Sequence, residues 1–514
     1  MPRLTVAQGN SVTDILYEGM PILSFVLSQN GILRETPCGG KGVCGKCRMH
    51  AEGSLSELTA KEKECLTSDE IGQGIRLSCQ ARLTGDAFVT VSKGAELTNI
   101  QAEGSLPSFS CHPMEGRFGV AVDIGTTTLV LQMVDLDHAQ VLHAVSAANP
   151  QGSVALDVIG RIEAALNGEG GRLHGLLIGE IGRLLDSLCQ KCMVSQEDIG
   201  PIVMAGNTTM LYLLARKSPA ALSHAPFDAD CLFGSWMDGA SIGLQKTLHA
   251  RVYLPACMSA FVGADITCGV LASQMCTRPE TALLVDLGTN GEIALWHGGT
   301  LYVCATAAGP AFEGGNIRMG VGSVLGAIDR VWVEDGNLCY TTIGNCEPVG
   351  ICGSGLIDAV AAFLKLALVD ETGLMEMGEV YIGEKVSLCQ KDIRNVQLAK
   401  GAIAAGIKTI CHHVGIPVSQ IDALYIAGGF GSHADIQNAA AIGLIPRELK
   451  DKAVVLGNAS LQGAVMLLLQ RGFESDTMML AGRAVTVPLG GSGIFAEYYM
   501  ECMMFEENTD EKGC

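Results

Sequence analysis

The sequence predicts two unlike pieces: a small α+β unit over residues 1–93 and a longer α/β body behind it. Three observations predict this. Short apolar-alternating runs fill the first 93 positions, and a weakly patterned stretch with Gly104, Ser105, Pro107, Ser108 and Pro113 follows over 94–116. From Gly116 onward, apolar strands ending in glycine turns alternate with alanine- and leucine-rich helices, the pattern of α/β organisation. At 514 residues the chain exceeds one domain, and 48% apolar against 17% charged residues favours packed globular units. With 34 basic and 54 acidic residues the net charge is −20, and the absence of a Lys/Arg stripe argues against nucleic acid as a partner.

In the first unit the patterning predicts strands at residues 3–8 and 13–17, a helix at 21–28, and then a glycine-rich loop. Beyond the loop it predicts a strand at 47–51, a helix at 59–66 and a closing strand at 86–92. That order suits a β-grasp fold. The loop reads Pro37-Cys38-Gly39-Gly40-Lys41-Gly42-Val43-Cys44-Gly45-Lys46-Cys47, and one more thiol arrives in Arg76-Leu77-Ser78-Cys79-Gln80. Its glycines let the backbone wrap two irons and turn amides toward sulfur. Cys38, Cys44, Cys47 and Cys79 are therefore the expected ligands of a [2Fe–2S] cluster, in a ferredoxin-type unit.

Twenty cysteines in a small secreted protein would suggest disulfides, but this chain is large and opens Met-Pro-Arg-Leu-Thr-Val without a signal-like apolar core. A reducing cytoplasm is expected, and so many thiols beside an iron–sulfur site suit an anaerobic host. No apolar stretch approaches the roughly 20 residues of a membrane helix, since even 359–369 is short and carries Lys365, so no membrane is expected.

The larger body is expected to hold helices near 156–166, 173–189 and 399–413. Two of its strand–turn elements resemble each other and suggest a duplication: Gly119-Val-Ala-Val-Asp123-Ile-Gly125-Thr126-Thr127-Thr128 and Ala282-Leu-Leu-Val-Asp286-Leu-Gly288-Thr289-Asn290-Gly291. Amides and hydroxyls gathered at Gly125, Thr126, Thr127, Gly288, Thr289 and Asn290 can hold phosphate. Asp123 and Asp286 would face each other across a cleft in which a mostly hydrated Mg2+ bridges carboxylate and phosphate. A third turn, Leu424-Tyr425-Ile426-Ala427-Gly428-Gly429-Phe430-Gly431-Ser432, allows its backbone at Gly428 and Gly429 to approach a purine. The expected lobes are 117–277 and 278–500, with an acidic tail over 501–514.

Other residues carry two readings. Asn207, in Gly206-Asn207-Thr208-Thr209, is a helix cap or a substrate or partner contact. Glu292 either orients an attacking water or lies on the outer face of its strand. The turn-rich loop 308–315 could line the same cleft. Cys189 and Cys192 form Cys-Gln-Lys-Cys without a second pair, so core packing stands against a redox or zinc half-site. Cys65, Cys304 and Cys352 are expected to pack as small apolar side chains. His412, His413 and His433 show no metal-ligand spacing. The sulfur-rich stretch 498–506 is expected to be a terminal helix followed by a frayed end.

The two Asp-Gly-Thr turns and the late Ala-Gly-Gly-Phe-Gly turn, in that order, resemble the acetate and sugar kinase, Hsp70 and actin superfamily, in which they are two phosphate motifs and an adenosine motif. With the ferredoxin unit in front, nearly the whole chain resembles the reductive activators of corrinoid-dependent methyltransferase systems. Met204-Ala-Gly-Asn207-Thr-Thr209 and Val285-Asp286-Leu-Gly288-Thr-Asn290-Gly-Glu292 belong to that ordered set of motifs. The resemblance implies an α+β β-grasp [2Fe–2S] ferredoxin domain followed by an α/β two-lobed actin/Hsp70/sugar-kinase-like ATPase fold. It implies an ATP-hydrolysing oxidoreductase that returns the cob(II) form of a corrinoid protein to cob(I), and a homodimer formed through the ATPase body. No Asp-x-His-x-x-Gly motif is present, so the corrinoid belongs to a partner protein, and a low-potential donor must feed the cluster. The competing readings are a plain ferredoxin-type electron carrier, a redox-regulated small-molecule kinase and an activator of radical dehydratases.

Overall fold

Alternation explains the first strands of the computed structural model, in which residues 1–8, 11–30, 32, 42, 45, 47–91, 106–244, 246–247, 250–428 and 434–506 are described. In β1 (Arg3–Gln8) Leu4 and Val6 point into the core while Arg3 and Thr5 face outward. The unit continues through β2 (Ser11–Leu16), α1 (Leu23–Gln29), β3 (Arg48–Leu55), α2 (Ala60–Cys65), α3 (Ser68–Gly72), β4 (Ile75–Leu77) and β5 (Leu83–Thr90). The sheet order is β2-β1-β5-β3-β4, with β1 parallel to β5 and the other pairs antiparallel, which is a β-grasp. Leu23 and Leu27 of α1 fill the core against Leu83 and Val89. Strand β4 and helix α3 were not expected from the sequence, because three and five residues are too few to display a period. Cys38, Cys44, Gly429, His433, residues 92–105 and the end of the acidic tail lie outside the described residues.

Two capping boxes in succession fasten α2 and α3. Thr59 and Glu62 exchange bonds at the start of α2, and Thr67 and Glu70 repeat the arrangement on α3. Each glutamate also serves a second partner. Glu62, fully buried, accepts from Arg76 Nε at 2.8 Å and Nη2 at 3.0 Å and from the Leu77 amide at 3.1 Å. Glu70 accepts from Arg48 Nε at 2.9 Å. Burial alone would raise the Glu62 carboxyl, but the hydrogen bonds from Arg76, Thr59 and Leu77 bring it below its ordinary value.

The chain divides into two compact units, Met1–Glu96 with Pro150–Ala164, and Leu97–Asn149 with Ala165–Cys514. Residues 150–164, which hold α4 (Val158–Ala164), fall in the first of these units.

The second unit is built on two six-stranded sheets with one shared plan. Its first half contains β6 (Phe118–Ile124), β7 (Thr128–Asp135), β8 (Gln140–Ala148), α5 (Gly170–Cys192), β9 (Ile199–Gly206), α6 (Thr208–Leu214), β10 (Ser235–Asp238), β11 (Arg251–Leu254) and α7 (Ala264–Ser273). The second half begins with β12 (Ala282–Leu287), β13 (Gly291–His297) and β14 (Thr300–Thr306). Small sheets follow from β15 (Ala327–Glu334), β16 (Asn337–Thr342), β17 (Gly350–Ile351), β18 (Glu379–Ile382) and β19 (Val386–Cys389), with α8 (Gly353–Lys365) between them. It ends with α9 (Gln390–Val414), β20 (Ala423–Ala427), α10 (Ile436–Ala441), β21 (Ala453–Gly457), α11 (Ala459–Leu469), α12 (Phe473–Arg483), β22 (Val485–Thr486) and α13 (Gly493–Cys502).

The orders are β10-β11-β9-β6-β7-β8 and β21-β20-β12-β13-β14-β22. In each, an antiparallel meander carries a parallel strand beside its first member, β9 beside β6 and β20 beside β12, as the repeated sequence predicts. Helices α7 and α11 join the halves. Every residue of α11 is buried, and a Cβ placed on Gly463 would stand 2.2 Å from the Cys268 carbonyl oxygen, so only glycine permits this approach. Among the described residues no helix is long and apolar enough to cross a membrane.

The Glu62–Arg76 pair yields a stability test. Replacing Arg76 with Met strands a buried carboxylate and should cost about 3–5 kcal/mol, read by urea unfolding and by faster hydrogen exchange over residues 59–77. Because the folded Glu62 carboxyl lies below its unfolded value of about 4.3, its contribution is full above that pH and lost as pH falls through the folded value. The wild-type advantage over Arg76→Met should therefore shrink in acid.

Candidate functional site

Cys47 immediately precedes β3 and Cys79 follows β4, and the antiparallel register Arg48↔Leu77 brings them side by side. The Ser78 amide donates to the Cys47 carbonyl at 2.9 Å, and the two sulfurs lie 3.2 Å apart, both buried, with Leu66 and Leu77 around them. Arg48 binds three elements at once: Glu70, the Gly45 carbonyl of the cysteine loop, and the Cys65 carbonyl at 2.6 Å. Cys65 packs in the same small cluster, as expected, and its thiol also donates to the Gly42 carbonyl at 3.2 Å. Gly42 has φ +69°, and a Cβ there would meet the Gln80 side chain at 2.7 Å, so the loop needs glycine at this point. Two convergent buried thiols, braced loop carbonyls and an apolar surround form a donor set that fits a [2Fe–2S] centre.

The duplicated sheets place Asp123 at the end of β6 and Asp286 at the matching end of β12. Asp123 accepts from Asn458 Nδ2 at 2.9 Å and from Ser460 Oγ at 2.8 Å, both at the start of α11. Asp265, in the first turn of α7, adds a third carboxyl. Glu292 adds a fourth, since it pairs across the strands with Asp286 and therefore shares its face of the sheet. It is 6% exposed, which removes the reading of an outer-face carboxylate.

Burial, reinforced by neighbouring carboxyls, sets the protonation of this group. Burial, then the charges of Asp265, Asp123 and Glu313, push Asp286 up to about 8. Asp265 is pushed up to about 7 by burial, with Asp123 adding to it. Burial, Asp265 and Asp286 raise Glu292 well above the ordinary carboxylate range, and burial also raises Asp123 against its two hydrogen bonds. Among the described residues no three His, Cys, Asp or Glu side chains are arranged to chelate a metal directly.

The turns themselves are tightly specified. The Gly125 amide donates to the Thr128 carbonyl at 2.9 Å, where a Cβ would stand 2.6 Å from that oxygen. Asn149 Nδ2 donates to the Gly125 carbonyl at 2.8 Å. Asn207 does two jobs: it caps α6 by accepting from the Met210 amide at 3.0 Å, and its Nδ2 donates to Thr126 Oγ1 at 3.1 Å. In the second turn the Gly288 amide donates to the Asn290 carbonyl at 3.2 Å. Gly428, with φ +111°, comes so near that a Cβ would lie 2.6 Å from the Leu287 carbonyl and 3.1 Å from Asp286 Oδ1. The structure thus brings together the expected residues Asp123, Gly125, Thr126, Thr127, Asp286, Gly288, Thr289, Asn290, Glu292 and Gly428 around the paired turns after β6 and β12.

Sequence reasoning missed Asp265, Asn458 and Ser460, whereas Glu313 lies in the loop 308–315 that was expected beside these turns and bonds Thr127 and Thr289. Asn458 was available as a helix-cap signal ahead of the apolar run 461–469, but its second bond, to Asp123, was not. The thiols of Cys189 and Cys304 are pushed up by burial, and Cys352 is buried, which agrees with packing.

Residues 280–512 match the family described as the C-terminal domain of RACo, the ASKHA domain, residues 118–278 the RACo middle region, and residues 8–84 the 2Fe-2S iron-sulfur cluster binding domain. The corrinoid activation enzyme RamQ of Eubacterium limosum is 31% identical over 424 residues, 76% of this chain and 71% of that one. The [Co(II) methylated amine-specific corrinoid protein] reductase of Methanosarcina barkeri is 26% identical over 74% of this chain and 76% of its own. A solved structure of a reductive activator for corrinoid, iron-sulfur protein has a TM-score of 0.73 at 26% identity, over 98% of both chains.

The raised carboxyls predict an inverted response to pH. Asp286 is neutral in the fold up to about 8, whereas the unfolded group ionises near about 3.9, so its penalty on the fold is absent in acid and grows as pH rises between those values. Asp286→Asn should therefore gain about 1–4 kcal/mol over wild type at pH 8 and much less at pH 5, measured by denaturant unfolding without Mg2+. Adding Mg2+ should stabilise wild type and leave the variant unmoved.

Proposed function

The chain belongs to the reductive activators of corrinoid proteins, and from that premise we propose how its residues perform the reaction. It is an ATP-dependent oxidoreductase that reduces the cob(II) form of a corrinoid protein. The observation that carries this reading is the presence, in one chain, of a convergent cysteine pair and a duplicated pair of Asp-Gly-Thr turns around a carboxyl cluster.

Cys38, Cys44, Cys47 and Cys79 hold the [2Fe–2S] centre, which when bound supplies a one-electron store near about −400 mV for the plant type. Leu66 and Leu77 exclude water from the sulfurs, and Arg48 and Cys65 fix the loop carbonyls. In the second unit Asp123 and Asp286, with Asp265 beside them, would hold Mg2+, which would neutralise charge on the nucleotide phosphates. The turn residues Gly125, Thr126, Thr127, Gly288, Thr289 and Asn290 donate to phosphate, and Gly428 and Gly429 leave room for the adenosine. Glu292, buried against Asp286, orients the attacking water.

Nucleotide binding between the halves favours the arrangement that grips the partner protein, and that preference offsets an unfavourable electron transfer. A coupling free energy of about 1–3 kcal/mol corresponds to roughly 40–130 mV for one electron, a scale that matters against a modest potential gap. The corrinoid partner serves a methyltransferase or O-demethylase system, a low-potential donor refills the cysteine site, and the protein works as a homodimer in a reducing cytoplasm.

An anoxic assay tests this. Purified protein, a cob(II) corrinoid protein and a low-potential donor should produce the cob(I) absorbance with Mg-ATP and far less without it. Equal reduction without nucleotide would overturn the reading. Cys44→Ser should lose the cluster spectrum and reduction together, while Asp286→Ala should keep the spectrum and lose the nucleotide dependence.

A further inference from the structure

Glu313 ends a short turn, Ala311–Glu313, in the loop behind β14, and no role above uses it. Its Oε2 accepts two hydrogen bonds, from Thr127 Oγ1 of the first turn at 2.5 Å and from Thr289 Oγ1 of the second at 2.6 Å. The two hydroxyls are themselves 3.4 Å apart. Its Oε1 also stays at the second turn, 3.6 Å from where a Cβ on Gly288 would sit. One anionic oxygen thus stands between hydroxyl donors from both halves of the duplicated fold, the coordination a phosphate oxygen would receive there.

The placement is built in. The Gly309 amide donates to the Thr289 carbonyl at 2.9 Å, and the Gly315 amide donates to the Pro310 carbonyl at 2.7 Å. Gly314, at φ +75°, packs so closely that a Cβ would lie 2.6 Å from the Val321 carbonyl oxygen. The loop is therefore held to the second turn on one side of Glu313 and fixed on the other.

We propose that Glu313 is a specificity-determining residue that occupies the terminal-phosphate position of the cleft and selects among nucleotides by how strongly each displaces it. This rests on the reading of the cleft as a nucleotide site. A triphosphate presents its last phosphate to Thr127 and Thr289, and two anions cannot share those donors, so the carboxylate turns away and both hydroxyls pass to phosphate oxygen. A diphosphate does not reach that position and leaves Glu313 bonded. Triphosphate binding alone thus carries the loss of two charge-assisted hydrogen bonds.

The test is titration of the full-length protein with AMP-PNP and with ADP, both with Mg2+, in wild type, Glu313→Gln and Glu313→Ala. Removing the charge should tighten AMP-PNP about tenfold or more and ADP less than about twofold. Gln keeps an acceptor for both hydroxyls and decides the matter if the Ala variant is unfolded by circular dichroism. Unchanged or weaker AMP-PNP binding in the folded variants, with wild type binding, would overturn the proposal alone. Equal tightening of both nucleotides would overturn it too, since general charge relief would then suffice. Failure of all three proteins to bind either nucleotide would overturn the nucleotide site itself and the proposal with it.

Discussion

The second unit buries acid groups together. Its duplicated sheets bring Asp123, Asp286 and Glu292 to one cleft, and α7 adds Asp265, so the fold confines more acid groups than can all be ionised without a counterion. A protein selected only for stability would place amides or apolar groups there. Retaining carboxyls whose protons are held by burial and by each other makes the cleft respond to any cation that can replace those protons. Hydroxyls of both turns stand beside it, and α7 packs directly on α11 at Gly463.

The N-terminal unit solves a different problem. The cysteine loop is rich in glycine, and the elements around it brace its described ends. Two consecutive capping boxes contribute to this bracing, because each uses its glutamate twice: once for its own helix and once for an arginine. Arg76 anchors the strand leading to Cys79, and Arg48 anchors the loop end at Gly45 together with the carbonyl of Cys65. The buried Glu62 carboxylate is tolerated because it is bidentate to Arg76 and accepts backbone amides as well.

Coupling of the two chemistries asks for moderate energies. A preference of a few kcal/mol between nucleotide-bound and nucleotide-free arrangements suffices to move a one-electron equilibrium by an order of magnitude or more, since about 59 mV is tenfold. The bridge from Thr127 through Glu313 to Thr289 is a single side chain across the two turns, at the point where a terminal phosphate would have to compete.

Much of this was readable from the chain alone, and for a physical reason. Ligand spacing in Cys38-x5-Cys44-x2-Cys47, alternation in β1 and β5, and the repeated strand-Asp-Gly-Thr pattern are local properties, set by bond lengths, pleat and turn geometry. They carried the fold class and the cluster type, while the family came from the resemblance of the ordered motifs. What the sequence could not supply was proximity between distant positions. Asn458 and Ser460 reach Asp123 from 335 and 337 positions away, and Glu313 reaches Thr127 across 186. Glu292 shows the boundary most clearly: its residue type and spacing left two faces open, and only the antiparallel register opposite Asp286 buried it among like charges. A lone chain specifies which groups exist and how they repeat, whereas the energy of a carboxyl depends on neighbours that only the folded sheets assemble.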